Sequence, residues 1–377
     1  MDKDGRLCSK QLTVTSAAEY DRILYGQMTP QMAVSYLLEN RLPVRTFSGV
    51  LQQMYPGKDL QMRLVDFFVS TMPEANPQSI VKKIKNWLSD KNLPATRQDL
   101  FRIAFALGFS EGQLDYLLSM CTDYGIQYRA GHDVVFAWFL RNGYGYQEAD
   151  RFFQQLPPAP GLNSWSQAQQ SHLTREIQNE FLMIQTPEDL RRCYLKNLHY
   201  FGSLHLRAYY YFDKFLSLLI HPVPAWLDIP EPYYSLETVM RTYLSMHMPS
   251  GKKRENYSLV QRLIKQNWPN ATALKNIRSH KEDVPRKLLL LLYVITEDST
   301  VVSGGLLEAP ETELTMQERI EEHWWTLNAM LADCGMALLD PRNINDWLIL
   351  YAIGAAGEEE SMSERLEQVI ALMYQDL

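Results

Sequence analysis

Residues 76–110 read NPQSIVKKIKNWLSDKNLPATRQDLFRIAFALGFS, and a diverged copy of part of this stretch lies further along the chain. Residues 85–91 are KNWLSDK and residues 275–281 are KNIRSHK, so both have the form K-N-x-x-S-x-K. A leucine-rich apolar run follows each motif: LFRIAFAL from Leu100 and KLLLLLYVI from Lys287. The chain therefore contains an internal repeat.

Two further matches occur downstream in the same order. LDYLLSMC (114–121) pairs with LNAMLADC (327–334), and DVVFAWFL (133–140) pairs with DWLILYAI (346–353). These two pairs share one offset, so no gap is needed between them. Several matches in a constant order favour a tandem duplication of one module.

The first motif lies on a predicted amphipathic helix at residues 77–88. Its apolar residues recur at the i, i+3, i+4, i+7 spacing of one helical face: Ile80, Val81, Ile84, Trp87 and Leu88. The opposite face carries polar side chains: Gln78, Ser79, Lys82, Lys83 and Asn86. We expect the first set to be buried and the second to face solvent.

Helix start and stop signals recur along the chain. Thr29 before Pro30 is typical of an N-cap with proline at the first helical position. Gly108 is placed to end a helix in the left-handed conformation, and Ser110 with Gln113 has the form of a capping box. No segment shows strand alternation, so we predict an all-α fold.

Two proline-rich segments, LPPAPGLN (156–163) and HPVPAWLDIPEPY (221–233), mark candidate domain boundaries. They predict tandem diverged helical modules joined by a helical middle segment. The predicted first module spans residues 1–156 with a core at about 46–118, the aromatic-rich middle segment spans 164–221, and the second module spans 234–377. Within the middle segment we expect helices over residues 166–184 and 187–220.

The composition is ordinary for a globular protein, with 46% hydrophobic and 21% charged residues in a chain of 377. No apolar run approaches the roughly 20 residues that cross a bilayer, and the charged N-terminus does not resemble a signal peptide. The four cysteines have no C-x-x-C spacing, which is typical of a reducing compartment. We expect a cytoplasmic protein without a membrane partner.

Positive charge is concentrated in the repeated segment. The net charge is −7, yet residues 77–107 carry six basic residues against two acidic ones. Residues 251–290 carry ten against three, whereas residues 305–377 carry three basic residues against fifteen acidic ones. Because local field governs association with a polyanion more than total charge does, the basic segments are candidate nucleic-acid contacts.

Residues 77–118 resemble the later part of a Cro/C1-type (XRE-like) helix-turn-helix domain, and residues 256–295 resemble it more weakly. The matching positions are Ile84, Leu88, Asp90, Lys91, Pro94, Arg97, Leu100, Ile103, Ala104, Ala106, Leu107, Gly108 and Ser110. The chain departs from the family where MPEANP (72–77) replaces the turn glycine that precedes the third helix.

The resemblance implies that the third helix of each module enters the major groove of DNA, with polar side chains on base edges and basic ones on phosphates. Carried over by position, the first-module candidates are Gln78, Ser79, Lys82, Lys83 and Asn86. The second-module candidates are Thr272, Lys275, Asn276 and Arg278, with Lys252, Lys253 and Arg254 on the backbone. The alternative is that these residues form solvated faces of packed helices.

Two functions remain open at the level of sequence. The first is a non-enzymatic regulatory protein that binds double-stranded DNA. The second is a protein–protein interaction adaptor with degenerate helix-turn-helix modules, whose partner surface would be the aromatic middle segment or the acidic C-terminal part. The chain lacks the phosphate-loop, H-E-x-x-H and G-x-S-x-G motifs, so we expect no catalytic activity, metal or cofactor.

Overall fold

The computed structural model describes residues 13–159, 176–222, 233–249, 257–266, 268–297, 315–355 and 360–375. Within these ranges the elements are helices and no strand is present, which confirms the all-α class. An isolated antiparallel bridge joins Tyr124 and Met336. None of the described helices combines the length and apolarity needed to cross a membrane.

The chain divides into two compact units. The first unit comprises residues 1–45, 208–334 and 338–377, and the second comprises residues 46–207 and 335–337. We call the first the discontinuous unit and the second, after its main segment at residues 46–207, the continuous unit.

The continuous unit contains the first module. Its helices are α3 (Phe47–Met54), α4 (Leu60–Thr71), α5 (Pro77–Leu88), α6 (Arg97–Leu107), α7 (Glu111–Cys121), α8 (Gly131–Arg141), α9 (Tyr146–Gln154) and α10 (Pro187–Asn197), with residues 176–183 also helical. Helix α4 packs against both α5 and α6, α6 packs against α7, and α8 packs between α7 and α9. Phe68, Trp87, Phe101 and Trp138 are among its fully or nearly fully buried side chains.

The discontinuous unit contains the second module and two N-terminal helices. These two are α1 (Val14–Tyr25) and α2 (Pro30–Leu38). The others are α11 (Leu206–Ile220, which begins two residues before the unit boundary), α12 (Leu236–Val239), α13 (Leu259–Lys265), α14 (Ala271–Arg278), α15 (Arg286–Glu297), α16 (Met316–Asp333), α17 (Ile344–Ile353) and α18 (Met362–Met373). Residues Met240–Leu244 extend α12 as a π-helical turn. Helix α15 is buried on all sides from Leu288 to Thr296 and forms the centre of this core.

The repeat seen in the sequence has a structural counterpart in a buried ion pair. In the first module, Arg97 at the start of α6 binds the carboxylate of Asp133 in α8, with Nε 3.0 Å from Oδ2. The same oxygen accepts the backbone N–H of Gln127 at 3.0 Å. The pair therefore fixes α6, α8 and the loop between α7 and α8 against one another.

The second module repeats this arrangement. Arg286 at the start of α15 binds both carboxylate oxygens of Asp346 in α17, and Asp346 Oδ2 accepts the backbone N–H of Asp340 at 2.9 Å. Asp340 precedes Asp346 by the same number of residues as Gln127 precedes Asp133. Helices α6 and α8 thus correspond to helices α15 and α17.

The predicted helix ends are confirmed where their signals are local. The Thr29 side chain caps α2, which starts at Pro30. Gly108 ends α6 with φ 65°. Ser110 and Gln113 exchange the two hydrogen bonds of a capping box at the start of α7, at 2.9 and 3.2 Å.

The prediction of one helix over residues 187–220 is wrong. Helix α10 ends at Asn197 and a 3₁₀ turn, Leu198–Tyr200, follows it. Gly202 then adopts φ 83° and donates its N–H to the carbonyl of Arg129 at 2.9 Å. This bond to a distant part of the chain replaces a helical one and turns the backbone before α11 begins. The part of the predicted 166–184 helix that precedes residue 176 lies outside the described residues.

The unit boundaries differ from the predicted ones because contacts distant in sequence decide them. Residues 13–45 belong with the second module, since α2 packs against α18 and α1 against α16. The proline-rich segment at 156–163 does not divide the units: Trp138 of α8 donates through Nε1 to the carbonyl of Ile184 at 3.0 Å. The boundary falls instead between Arg207 and Ala208.

Candidate nucleic-acid interface

Helix α5 is held by one apolar face. Asn76 caps its first turn by accepting the N–H of Gln78 at 2.9 Å. Ile80, Ile84 and Trp87 are buried, and the Trp87 ring lies 5.5 Å from that of Phe68 in α4. The amphipathic pattern predicted from the sequence therefore anchors the helix and leaves its other face outward.

The outward face carries a stripe of four exposed residues, which we call the α5 stripe: Gln78, Val81, Lys82 and Lys85. The assignment of Val81 to the buried face is wrong, because its side chain is 39% exposed. In the described part of the chain neither lysine has a carboxylate within ion-pair distance. Ser79 is exposed beside the stripe.

Lys83 faces a different way from its neighbours. Its ammonium lies 2.9 and 3.0 Å from the two carboxylate oxygens of Asp99 in α6 and 5.0 Å from the centre of the Trp87 ring. Asp99 is 3% exposed, so Lys83 neutralises a buried carboxylate. Asn86 is half-buried, and its carbonyl accepts the N–H of Lys91 at 3.0 Å.

The turn after α5 explains the spacing of the repeated motif. Asp90 has φ 52°. Its N–H donates to the carbonyl of Trp87, and the N–H of Lys91 donates to the carbonyl of Asn86. This is the Schellman arrangement of a helix end. The Asp90 carboxylate accepts the backbone N–H of Ser48 at 2.9 Å and its hydroxyl at 2.5 Å, and so ties the turn to the first turn of α3.

Helix α14 ends in the same turn. His280 has φ 57°. Its N–H donates to the carbonyl of Ile277 at 2.8 Å, and the N–H of Lys281 donates to the carbonyl of Asn276 at 2.9 Å. Leu274 is buried with Ile277 on the inner face. The motif K-N-x-x-S-x-K therefore encodes one helix end, present twice.

The outer face of α14 differs from that of α5. Aligned on the shared turn, the residues that correspond to the α5 stripe are Trp268, Ala271, Thr272 and Lys275. Trp268 precedes the helix and donates through Nε1 to the carbonyl of Leu244 at 2.9 Å. Thr272 is exposed.

Two carboxylates engage the polar face of α14. Lys275 Nζ lies 2.5 Å from Glu237 Oε1, and Asn276 donates to Glu282 at 2.8 Å. The hydrogen bond from Lys275 lowers the pKa of Glu237 below its usual value, so this carboxylate is ionised at neutral pH. Arg278 remains exposed on this helix. The backbone-contact candidates Lys252, Lys253 and Arg254 lie outside the described residues.

The structure thus separates the sequence candidates into groups. Gln78, Ser79 and Lys82 lie on one exposed surface, whereas Lys83, Asn276 and Lys275 have acidic partners. Lys85 was not among the candidates, although it is the first residue of the repeated motif and that repetition was the available signal. Its exposure follows from its position one helical turn after Lys82.

An open groove of about 630 Å³ lies beside α10 and has a cysteine in its wall. Burial, followed by a hydrogen bond to Glu180, raises the pKa of the Cys193 thiol to about 11. The thiol is therefore protonated at neutral pH, which does not favour a nucleophilic role. No group of three or more potential metal ligands occurs among the described residues.

The aromatic run of the middle segment is mostly internal. Tyr209, Phe212 and Phe215 are buried in α11, while Tyr210 is 45% exposed. Tyr209 also stacks on His280, with ring centroids 4.7 Å apart. Tyr209 thus holds α11 against the turn that follows α14.

Comparison of the chain with protein-family models, curated proteins and solved structures found no match.

Proposed function

We propose that this protein is a non-enzymatic regulator that binds double-stranded DNA through α5. The α5 stripe carries the proposal: two lysines, which have no carboxylate partner among the described residues, and an amide side chain lie on the exposed face of a helix anchored by its other face. Lysines can bind phosphates, and the Gln78 amide offers both a donor and an acceptor to a base edge. An α-helix with its side chains is about 10–12 Å in diameter, which fits a major groove about 12 Å wide.

The supporting geometry is that of a rigid presenting helix. Helix α5 packs against α4 and α3, its start is capped by Asn76, and its end is tied to α3 through Asp90. A helix fixed at both ends presents its outer side chains with little loss of conformational entropy on binding.

Fluorescence anisotropy with mixed-sequence duplex DNA tests the proposal. Binding through phosphates should weaken as salt is raised from ~50 to ~200 mM, with log affinity falling by about 0.9 per phosphate for each unit of log salt. Lys82→Glu should weaken binding several-fold and reduce that slope. Absence of binding by the unmodified protein at the lower salt concentration would refute the proposal.

The second candidate function is that of a protein-interaction adaptor. The ion pair between Lys275 and Glu237 favours it for the second module, because this face presents both signs of charge rather than a positive surface. Protein–protein interfaces place charges of one sign opposite charges of the other, and a face that carries both signs offers positions for such pairs. DNA binding at low salt in the anisotropy experiment would favour the first function, and its absence would leave the second.

A further inference from the structure

The two modules share a helix end but present unequal outer faces. Helix α5 has twelve residues and α14 has eight, and both end in the same Schellman turn. Helix α14 therefore lacks the first turn of α5. In helix-turn-helix proteins the N-terminal residues of the recognition helix are those that contact base edges, so the part of α14 that would read DNA is absent.

Trp268, the residue of the second module that corresponds to Gln78, has a packing role. Trp268 precedes α14, and its indole N–H is committed to the carbonyl of Leu244. The ammonium of Lys287 lies 4.8 Å from the centre of the Trp268 ring and donates to the carbonyls of Ile264 and Gln266. Trp268 thus serves to pack the end of α13 and does not project as a base-reading side chain.

The phosphate-binding capacity of α14 is also reduced. Lys275 corresponds to Lys85, since both open the repeated motif. Lys85 has no acidic partner in the described ranges, whereas the Lys275 ammonium holds the carboxylate of Glu237. Glu282 adds a second negative charge beside Asn276. A DNA phosphate approaching α14 would meet carboxylates, whereas on α5 it would meet ammonium groups that have no acidic partner within the described ranges.

From these three differences we infer that one chain engages one DNA half-site: the first module binds the duplex, and Glu237 and Glu282 keep the second module's counterpart helix from doing so. This rests on the proposed DNA-binding function. The chain is then not equivalent to a dimer of helix-turn-helix domains, and a two-fold symmetric site would require two chains.

A matched pair of variants tests the inference in the full-length protein. Lys85→Ala and Lys275→Ala remove the same side chain from corresponding positions of the two modules, both on exposed helix surfaces. Binding to a mixed-sequence duplex is measured by anisotropy across a salt series. We expect Lys85→Ala to weaken binding and reduce the salt slope by about 1, as for one lost phosphate contact. Lys275→Ala should leave affinity within about twofold, because the Lys275 ammonium is already bound to Glu237 Oε1.

A gain-of-binding variant gives an independent readout. Glu237→Gln with Glu282→Gln removes both negative charges while keeping side-chain size, so α14 becomes a positive surface. Binding should strengthen and the salt slope should become steeper by about 1.

These experiments distinguish failure of the one-half-site inference from failure of the proposed DNA-binding function. Equal losses in Lys85→Ala and Lys275→Ala, or no change in the glutamine double variant, would overturn the one-half-site inference while DNA binding itself stands. Failure of the unmodified protein to bind at low salt would overturn the proposed function, and the inference with it.

Discussion

Arg286 donates through its two terminal nitrogens to the two carboxylate oxygens of Asp346, at 2.6 and 2.9 Å. Both side chains are nearly excluded from solvent, with 9% and 1% exposure. A third guanidinium hydrogen bond reaches the carbonyl of Leu338 at 3.2 Å. The pair joins the first turns of α15 and α17 to the segment before α17, so it braces the second module at the point where three chain segments meet.

Removing one partner of this pair should be costly. Asp346→Asn leaves the Arg286 charge buried without a counter-ion, and we expect the free energy of unfolding to fall by about 3–5 kcal/mol. Urea denaturation followed by circular dichroism measures it. Asp189→Asn, which breaks the exposed pair of Asp189 with Arg192 in α10, is the control and should lower the midpoint far less than Asp346→Asn does. A loss in Asp346→Asn no larger than in this control would mean that the pair does not brace the module.

The corresponding pair in the first module predicts a pH dependence. Burial acts to raise the pKa of Asp133, but hydrogen bonds from His132 and Arg97, with the charge of Arg97, outweigh it and hold this pKa below its usual value. A carboxyl whose folded pKa is depressed stabilises the fold above its unfolded pKa of about 4, and that stabilisation is lost as the pH falls through the folded pKa.

We therefore expect the urea midpoint of the unmodified protein to fall between pH 7 and pH 3, and Asp133→Asn to reduce that fall, because asparagine does not titrate. The variant should be less stable at pH 7 and closer to the unmodified protein at pH 3. Parallel pH profiles for the two proteins would show that Asp133 does not contribute to the acid sensitivity.

Neighbouring lysines on α5 should give opposite phenotypes. Lys83→Ala leaves the buried Asp99 carboxylate without its closest cation, and we expect a loss of about 1–3 kcal/mol in unfolding free energy. Lys82→Ala removes an exposed side chain that has no acidic partner in the part of the chain that the structure describes, so stability should change by less than about 0.5 kcal/mol. The effects on DNA affinity should be the opposite: at a temperature where both variants are folded, Lys82→Ala should weaken binding more than Lys83→Ala does. Similar stability losses in both would contradict the assignment of Lys83 to Asp99.

The contrast between Lys82 and Lys83 shows what the sequence could reveal. Helical periodicity placed both on the polar side of α5, since their positions differ by one residue. Which of them meets a carboxylate depends on the position of α6, and Asp99 is distant along the chain. Periodicity also placed Val81 inside, because an apolar side chain at the edge of the stripe is indistinguishable from a core residue until the neighbouring helices are in place.

Features set by local chemistry were predictable. The caps at Thr29 and Gly108 depend on a few adjacent residues, and the repeated K-N-x-x-S-x-K motif identified the same helix end twice. The division of the chain into units was not predictable from its prolines. It depends on α2 packing against α18, and no local pattern encodes a contact between the two ends of a chain.

A close contact between α8 and α10 allows a strict test of packing in the continuous unit. A Cβ atom at Gly131 would lie 2.7 Å from Tyr194 Cε2 and 2.9 Å from its hydroxyl oxygen. Tyr194 is buried, and its hydroxyl donates to the carbonyl of Pro157 at 3.2 Å, so the ring has little freedom to move. Gly131→Ala should therefore destabilise the fold by about 1–3 kcal/mol, as overpacking does.

Gly112, in the first turn of α7, is the matched control, since a Cβ there meets nothing within 4 Å. Gly112→Ala should stabilise the protein by about 0.5–1 kcal/mol through the lower conformational entropy of the unfolded chain. If the clash with the ring is the cause, Gly131→Ala should cost less in a Tyr194→Leu background than in the unmodified protein. Equal costs in the two backgrounds, measured by urea denaturation, would place the effect of Gly131→Ala in the backbone of α8 rather than in its contact with α10.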